Sequence, residues 1–283
     1  MPKVICRLAY ISLAYFLVSS SVYSWNGFGH RTVAKIACLE IRDGQQKAIF
    51  NLLKNHPHFA VLKDFPKDGQ DTSFFGQGRP PGVREVEWAI FQATTWPEFV
   101  RVPRFSKLTA QQIQTDPVHK YDRKFDHFAD IALVDPNFKQ MPKEDNPGSL
   151  LEAFAKAEKR LKDPNLPLSD KAIAFCWLAH LAEDIHQPLH CTILFSKRFP
   201  NGDGGGNAFP IGKTNLHSFC DEVLGAEHTT FEYFDAVANG IHRAPQLQRS
   251  KLLEMKQNTS YRSWADESDM IAARLLTWTE RTC

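Results

Sequence analysis

Histidine and carboxylate residues recur at a spacing of four in two segments of this chain. His180 and Asp184 form the first pair, and His217 and Asp221 form the second. Residues four apart share one face of an α-helix, so each pair presents an imidazole and a carboxylate side by side. These donors suit zinc and leave coordination positions open for water. The two pairs together predict a metal centre.

The first pair lies in a segment that predicts a buried helix, Ser169–Ile185, with Ser169 as its N-cap. Apolar residues occur on all sides of this helix, which is typical of a helix at the centre of a fold. His180 and Asp184 are therefore polar groups inside a core, and a metal would supply the partners that they need. Pro188 cannot continue the helix, so His190 can fold back toward the same space.

The apolar residues in the rest of the chain predict the helices that position the two histidine–carboxylate pairs. Helical spacing of apolar residues recurs along most of the chain, and no convincing strand pattern or internal repeat interrupts it. We predict an all-α fold formed by one domain, residues 25–283. The predicted helices are Thr32–Ile41, Gln45–Lys54, Arg84–Thr95, Ser149–Leu161, Ser169–Ile185, a second ligand helix from Asn215, and 229–239, 247–256 and 261–279, with a long loop at 60–82.

Residues 1–24 resemble a secretory signal peptide. Lys3 and Arg7 precede an apolar run, Leu8–Val18, that is too short for the roughly 20 residues of a membrane span. Cleavage after Ser24 would make Trp25 the new N-terminus and direct the protein to a secreted or periplasmic location. The alternative is an uncleaved anchor. We expect no stable membrane insertion and a monomer.

Composition limits the possible partners. The chain has 34 basic and 32 acidic residues, and removal of Lys3 and Arg7 leaves equal numbers. A protein that captures duplex DNA by broad electrostatic attraction is usually strongly basic, so any nucleic-acid contact here must be local.

Five cysteines remain after the signal peptide, so at least one is free or pairs between chains. Disulfides are possible, but the absence of a C-x-x-C motif disfavours a zinc site formed by thiolates.

Further donors accompany the two pairs. The α-amino group of Trp25 would be a nitrogen ligand, and the glycines that follow let the backbone bend so that His30 chelates the same ion. His127 is a further imidazole, and Glu98 is a further carboxylate. The histidines at 56, 58, 119, 228 and 242 lie in polar or turn contexts that predict solvated side chains, and His186 is expected to support the site from outside it.

The motifs and their order carry a family resemblance. They are Trp-x-x-x-Gly-His from Trp25, Thr-Trp-x-acidic-x-x-Arg around Glu98, His-Phe-x-Asp from His127, His-x-x-x-Asp-x-x-x-Gln-Pro-Leu-His from His180, Gly-Gly-Asn at 205–207, and Asn-Leu-His-x-x-x-Asp from Asn215. In these motifs the chain resembles the single-strand-specific zinc nucleases of fungi and plants, the S1/P1 nuclease family. The resemblance implies a mostly helical fold around three zinc ions (Zn2+).

The resemblance also assigns ligands to each ion. One zinc would bind Glu98, His127, His180 and Asp184; a second would bind His190, His217 and Asp221; the third would bind the Trp25 amino nitrogen and carbonyl, His30 and a shared oxygen of Asp184. Family enzymes cleave single-stranded DNA and RNA to 5′-phosphate products and release phosphate from 3′-mononucleotides. This activity implies single-stranded nucleic acid and 3′-mononucleotides as substrates.

Catalytic and substrate-binding roles follow from the same motifs. Zinc lowers the pKa of a bound water from 15.7 to near 7, and Glu98 would orient that water or accept its proton. Arg101 resembles the basic partner for transition-state charge, and Asn207 would contact phosphate. The ring of Phe128 would stack on a base while Asp130 accepts hydrogen bonds from the base edge. The alternative is that Phe128 packs in the core and Asp130 caps a turn.

Two positions depart from the family pattern. Glu98 stands where Asp is usual, which keeps the charge but adds a methylene. Cys220 stands where Trp is usual beside Asp221, and we interpret it as a small buried apolar residue rather than a ligand.

Two other functions compete with a nuclease. A zinc-dependent phospholipase C would share the N-terminal Trp and the three-zinc arrangement, but its last helix ligand is Glu rather than Asp221. A secreted protein that binds zinc only for stability is the second, and Glu98 is the one feature that favours it.

Overall fold

Helices form most of this computed structural model, which describes residues 26–63, 78–103, 106–139, 148–225, 230–248, 250–252, 257 and 259–282. The all-α prediction is confirmed. The α-helices in chain order are α1 (Gly27–Glu40), α2 (Asp43–Leu53), α3 (Phe59–Lys63), α4 (Glu85–Phe99), α5 (Ala110–Thr115), α6 (Leu150–Lys162), α7 (Leu168–Asp184), α8 (Pro188–Cys191), α9 (Leu216–Asp221), α10 (Phe231–Arg243) and α11 (Tyr261–Thr282), with 3₁₀ turns at His119–Tyr121 and Pro245–Leu247.

Helix α7 is the central helix, as its apolar pattern predicts. Trp177 and Leu181 are fully buried, and the helix packs between α4 and α6. It begins after Pro167 rather than at a side-chain cap from Ser169, and it ends at Asp184. Because Pro188 occupies the first turn of the short helix α8, the chain turns sharply between the two helices and the donor residues stay together.

Helix α4 extends farther than the sequence predicts. The prediction ends it at Thr95, but the helix continues through Pro97 to Phe99. Pro97 is tolerated because it lies close to the C-terminal end, where the backbone N–H of Val100 still reaches the carbonyl of Trp96 at 3.1 Å. Glu98 therefore projects from a helix end and not from an isolated turn.

Short strands were missed by the sequence prediction. Strand β1 (Ile131–Val134) pairs in parallel with β2 (Thr192–Phe195), and β3 (Pro210–Ile211) pairs with β4 (Thr214–Asn215) in a hairpin. All four residues of β2 are buried, so the strand shows no alternation between apolar and polar positions. The β1–β2 pairing continues a contact between the Ala129 N–H and the His190 carbonyl at 2.8 Å, which joins the segment of His127 to α8.

Several predictions fall wholly or partly outside the described residues. They include the signal peptide, Trp25, most of the loop at 60–82 and half of the helix at 247–256. No helix within the described ranges combines the length and apolar character that a bilayer crossing requires. Among the described cysteines, Cys38, Cys176, Cys191 and Cys220 are free thiols.

Candidate metal centre

The predicted ligand residues converge in the interior as three groups. Within each group, one donor atom from every residue lies within 4.8 Å of the others. The groups are Glu98, His127 and His180; His190, His217 and Asp221; and His30, His180 and Asp184. Trp25, the remaining predicted ligand, lies outside the described residues.

The first group joins the end of α4 to α7. His180 Nε2 lies 2.9 Å from His127 Nδ1, and that Nδ1 lies 3.4 Å from Glu98 Oε1. Asp184 Oδ2 lies 3.0 Å from His180 Nε2 and 3.3 Å from His127 Nδ1. These four side chains can therefore direct two nitrogens and two carboxylate oxygens at one point.

The second group joins α8 to α9. The rings of His190 and His217 stack with centroids 5.0 Å apart. Asp221 Oδ2 lies 3.6 Å from His217 Nε2, and Asp221 Oδ1 lies 3.7 Å from His190 Nε2. All three side chains are buried.

Asp184 connects the groups. Its Oδ1 lies 3.6 Å from His30 Nε2 and 3.4 Å from His190 Nδ1, whereas its Oδ2 faces His127 and His180. The side chain is fully buried. A carboxylate with its two oxygens directed at different imidazoles is the arrangement expected of a ligand that bridges two metal positions.

Backbone carbonyls orient three of the imidazoles. In each case Nδ1 lies against a carbonyl oxygen and Nε2 faces a carboxylate of the site, and Nδ1 of His190 also lies near Asp184. The pairs are His180 with Thr94 at 2.7 Å, His190 with His127 at 3.0 Å, and His217 with Gly205 at 2.7 Å.

The glycine loop before β3 supplies one of these carbonyls. Asp203 is buried, and its carboxylate accepts hydrogen bonds from the N–H groups of Leu194, Gly205 and Gly206. Gly205 has a φ of 61°, and a Cβ there would lie 2.4 Å from the Leu189 carbonyl oxygen. Only glycine fits this approach, which places the Gly205 carbonyl against the ring of His217.

Gln187 and Glu183 support ligands and were not singled out from the sequence. Gln187 Nε2 donates to Asp221 Oδ1 at 2.6 Å, and the side-chain oxygen Oε1 of Gln187 accepts from the Leu189 N–H at 2.6 Å. Glu183 contacts His30 Nδ1. Burial, together with the charge of neighbouring Asp184, raises the pKa of the Glu183 carboxyl well above its usual value. Their position inside the His-x-x-x-Asp-x-x-x-Gln-Pro-Leu-His motif was the available signal.

Unpaired buried atoms show that these residues fit metal ions. Glu98 Oε1, His190 Nε2 and Asp221 Oδ2 are buried and have no hydrogen-bond partner within the described part of the chain. An unsatisfied buried polar group costs about 1–3 kcal/mol, so the presence of these three atoms among the predicted ligands needs an explanation. Each faces the other donors of its group, and a bound cation would satisfy all three.

The electrostatics also favour cations. Burial alone would raise the pKa of Asp184, but His180 and His190 outweigh it and hold that pKa well below its usual value. Burial likewise opposes ionisation of Glu98, and Arg101 with the nearby imidazoles lowers its pKa. Both carboxylates are therefore ionised at neutral pH inside a buried site, which suits a metal ligand.

Of the predicted substrate-contacting residues, Arg101 contacts a predicted ligand directly, and the others follow ligand or supporting residues closely in the chain. Arg101 Nη1 lies 2.9 Å from Glu98 Oε2. Phe128 is half-buried, and Asp130 has a φ of 44° and accepts from Gly148 N–H at 2.8 Å. Asn207 Nδ2 donates to the Gly204 carbonyl at 2.7 Å. The structure places these residues, and their roles toward substrate stay predictions.

Two residues outside the cluster test other parts of the sequence interpretation. His56 was expected to be solvated, but it is buried against Trp96, and burial lowers its pKa to about 3. The expectation was wrong because the turn that contains His56 packs onto α4. Cys220 is half-buried against the apolar cluster of Leu189 and Leu216, in line with a packing role.

Comparison with known proteins completes the description of the site. Residues 25–281, which include every predicted ligand, match the model of the family described as S1/P1 Nuclease. A search of curated protein sequences finds no match.

Proposed function

This chain belongs to the S1/P1 nuclease family, and on that premise we propose that it is an endonuclease that cleaves single-stranded DNA and RNA to 5′-phosphate products and also acts as a 3′-nucleotidase. The family consists of hydrolases that act on phosphodiester bonds and are in general zinc-dependent. The observation that carries the proposal is the convergence of three histidine–carboxylate groups on Asp184.

We propose three zinc positions, held as the sequence resemblance assigns them. When bound, zinc supplies a Lewis acid for phosphate oxygens and lowers the pKa of water to about 7. The anchoring of Asn26 supports a role for Trp25: its N–H lies 3.4 Å from the carbonyl of Asp221, and its side-chain amide donates to Gly225 at 2.7 Å. Asn26, the residue that follows Trp25 in the chain, is thereby held against the segment that carries Asp221.

Glu98 and Arg101 divide the catalytic work in this proposal. Glu98 Oε2 is held by the guanidinium of Arg101, while Oε1 faces His127 and His180 at 3.4 and 3.6 Å. Oε1 is therefore placed to orient the attacking water or accept its proton. Arg101 is partly exposed, so its remaining N–H groups are available to the phosphate that reacts.

Phe128 and Asp130 favour an unpaired base as the substrate. Phe128 follows His127 directly and keeps part of its ring accessible. A base can stack on an accessible ring only after it leaves a duplex, and one such contact contributes roughly 1–3 kcal/mol. The even balance of basic and acidic residues after the predicted signal agrees with this, because it leaves no broad excess of positive charge to hold a duplex.

The remaining features of the proposal concern the protein as a whole. We propose secretion or periplasmic export through the signal at residues 1–24, with cleavage between Ser24 and Trp25. We also propose that the protein acts as a monomer. Protein recovered from an exporting host should begin at Trp25, and sedimentation should give the mass of one chain.

A substrate comparison tests the proposed activity. Zinc-loaded protein should cleave a single-stranded oligonucleotide much faster than the matched duplex, should release phosphate from a 3′-mononucleotide, and should leave phosphatidylcholine intact. Phe128→Ala should raise KM on single strands by roughly tenfold, as loss of one stacking contact implies. Phe125→Ala is the matched control, because Phe125 is an exposed ring 6.3 Å from Phe128. Equal rates on single and double strands, or turnover of the lipid, would contradict the proposal.

A further inference from the structure

His30 is oriented differently from three other imidazoles of the metal centre. His180, His190 and His217 each direct Nδ1 at a neutral backbone carbonyl. His30 directs Nδ1 at the carboxylate of Glu183, in a contact that is buried on both sides. His30 is therefore held by the side-chain carboxyl of Glu183 and not by a backbone carbonyl.

Helix α7 brings Glu183 and Asp184 to opposite nitrogens of the same ring. Glu183 contacts His30 Nδ1, and Asp184 Oδ1 lies 3.6 Å from His30 Nε2. The ring also stacks on His180 with centroids 4.1 Å apart, so it has little freedom to rotate. With Nδ1 as the hydrogen-bond donor, the lone pair of Nε2 points toward the shared carboxylate.

The ligand set at this position explains what the extra carboxylate contributes. The first group has Glu98 in addition to Asp184, and the second group has Asp221. The group of His30 has only Asp184, which it shares. A carboxylate behind a ligating imidazole fixes the ring and raises its basicity, so Glu183 strengthens the position with the least negative charge of its own.

We propose that Glu183 is a positioning residue that holds His30 for the third zinc and raises the affinity of that position above what His30 and Asp184 alone would give. The inference rests on the proposed trinuclear zinc centre. Glu183 does not contact the reacting atoms; it acts through the ring of His30.

Glu183→Gln tests the inference, because glutamine keeps the size and can still accept a hydrogen bond from Nδ1. Full-length mature protein loaded with zinc would be titrated with a competing chelator. We expect one of the three zinc ions to be released at a roughly 10- to 100-fold lower chelator concentration than in the wild type, and the other two to be released at the same concentrations as in the wild type. The matched control is Glu40→Gln, which removes the exposed Glu40–His242 pair, 2.7 Å long, without touching the cluster.

Two further measurements separate positioning from a structural role. The metal-free Glu183→Gln protein should melt no lower than the metal-free wild type, because a buried carboxyl has been removed, whereas the zinc-loaded variant should melt lower. In a His30→Ala background, Glu183→Gln should leave zinc affinity unchanged, since the ring through which it acts is gone.

The outcomes distinguish the two proposals. Wild-type protein that binds fewer than three zinc ions would overturn the trinuclear centre and this inference with it. Wild-type protein that binds three, with Glu183→Gln releasing them identically, would overturn only the role of Glu183. Equal melting losses in the metal-free and zinc-loaded variants, or a further loss of affinity in the His30→Ala background, would also overturn it.

Discussion

Arg101 binds one of the two carboxylate oxygens of Glu98: Arg101 Nη1 lies 2.9 Å from Glu98 Oε2. The other oxygen, Oε1, faces the imidazoles of His127 and His180. Glutamate stands here where the family resemblance leads us to expect aspartate, and each of its two oxygens faces a different partner. This division of the two oxygens makes the longer side chain compatible with an active site.

Glu98→Gln should lower kcat by at least roughly a hundredfold, the lower range for a group that transfers a proton. Glutamine preserves the shape but removes the charge that faces the imidazoles. Glu98→Asp should remain active, because it keeps the negative charge and restores the side-chain length that is usual in the family. Steady-state rates on a single-stranded oligonucleotide, with zinc content measured in parallel, check both variants. Near-normal turnover by a fully loaded Glu98→Gln protein would show that the carboxylate has no part in the reaction.

Gln187→Ala should weaken zinc binding at the position of Asp221 by roughly 10- to 100-fold, since it removes the donor that fixes Asp221 Oδ1. Gln46→Ala is the control, because Gln46 is also buried and donates to the backbone carbonyl of Cys38 at 2.7 Å rather than to a predicted zinc ligand. Both variants should lose about 1–3 kcal/mol of stability. A chelator titration should then separate them. The same zinc affinity in both would mean that Gln187 serves packing alone.

Gly205→Ala should damage both stability and the metal site. The φ of 61° strains any other residue, and the added Cβ would lie 2.4 Å from the backbone oxygen of Leu189, which cannot move aside as a side-chain end can. Gly212 has a φ of 58° but open space around it. Gly212→Ala therefore measures the cost of the left-handed backbone conformation alone, which we expect to be about 1–2 kcal/mol of stability. Thermal unfolding should show the larger loss at Gly205, with weaker zinc binding through His217. Equal losses at both glycines would refute the proposed close approach.

These glycine and glutamine positions illustrate what the sequence could and could not predict. The His180/Asp184 and His217/Asp221 pairs were found because helical spacing turns sequence distance directly into a shared face. The orientation of His217 by Gly205 was not found, because it depends on contact between residues 12 apart across a loop. Strand β2 was missed for a similar reason: its burial on both faces depends on packing against other segments, which removes the alternating pattern.

The pH dependence of zinc binding follows from His190. Burial alone would lower its pKa, but the carboxylates of Asp184 and Asp221 outweigh burial and raise it to about 10 in the metal-free protein. Zinc must displace that proton, so binding should release protons at neutral pH and apparent affinity should rise as pH rises toward 10. Calorimetry in buffers of different ionisation enthalpy measures this release. Affinity that falls between pH 6 and 8 would contradict the prediction.

The same pKa sets the stability of the metal-free protein. A pKa raised above the unfolded value of about 6.5 means that the folded state binds the proton more tightly. The contribution of His190 is therefore fully present below about pH 6.5 and is lost as pH rises toward 10. His190→Gln should reduce the change in the free energy of unfolding between about pH 6.5 and 10. Chemical unfolding of both proteins at several pH values in this range would show the difference.

The zinc content of the mature protein tests the central claim most directly. Protein that begins at Trp25 should hold three zinc ions per chain by elemental analysis, and the same chain with one residue placed before Trp25 should hold two, because its amino group has become an amide. One zinc ion or none in the protein that begins at Trp25 would contradict the trinuclear centre.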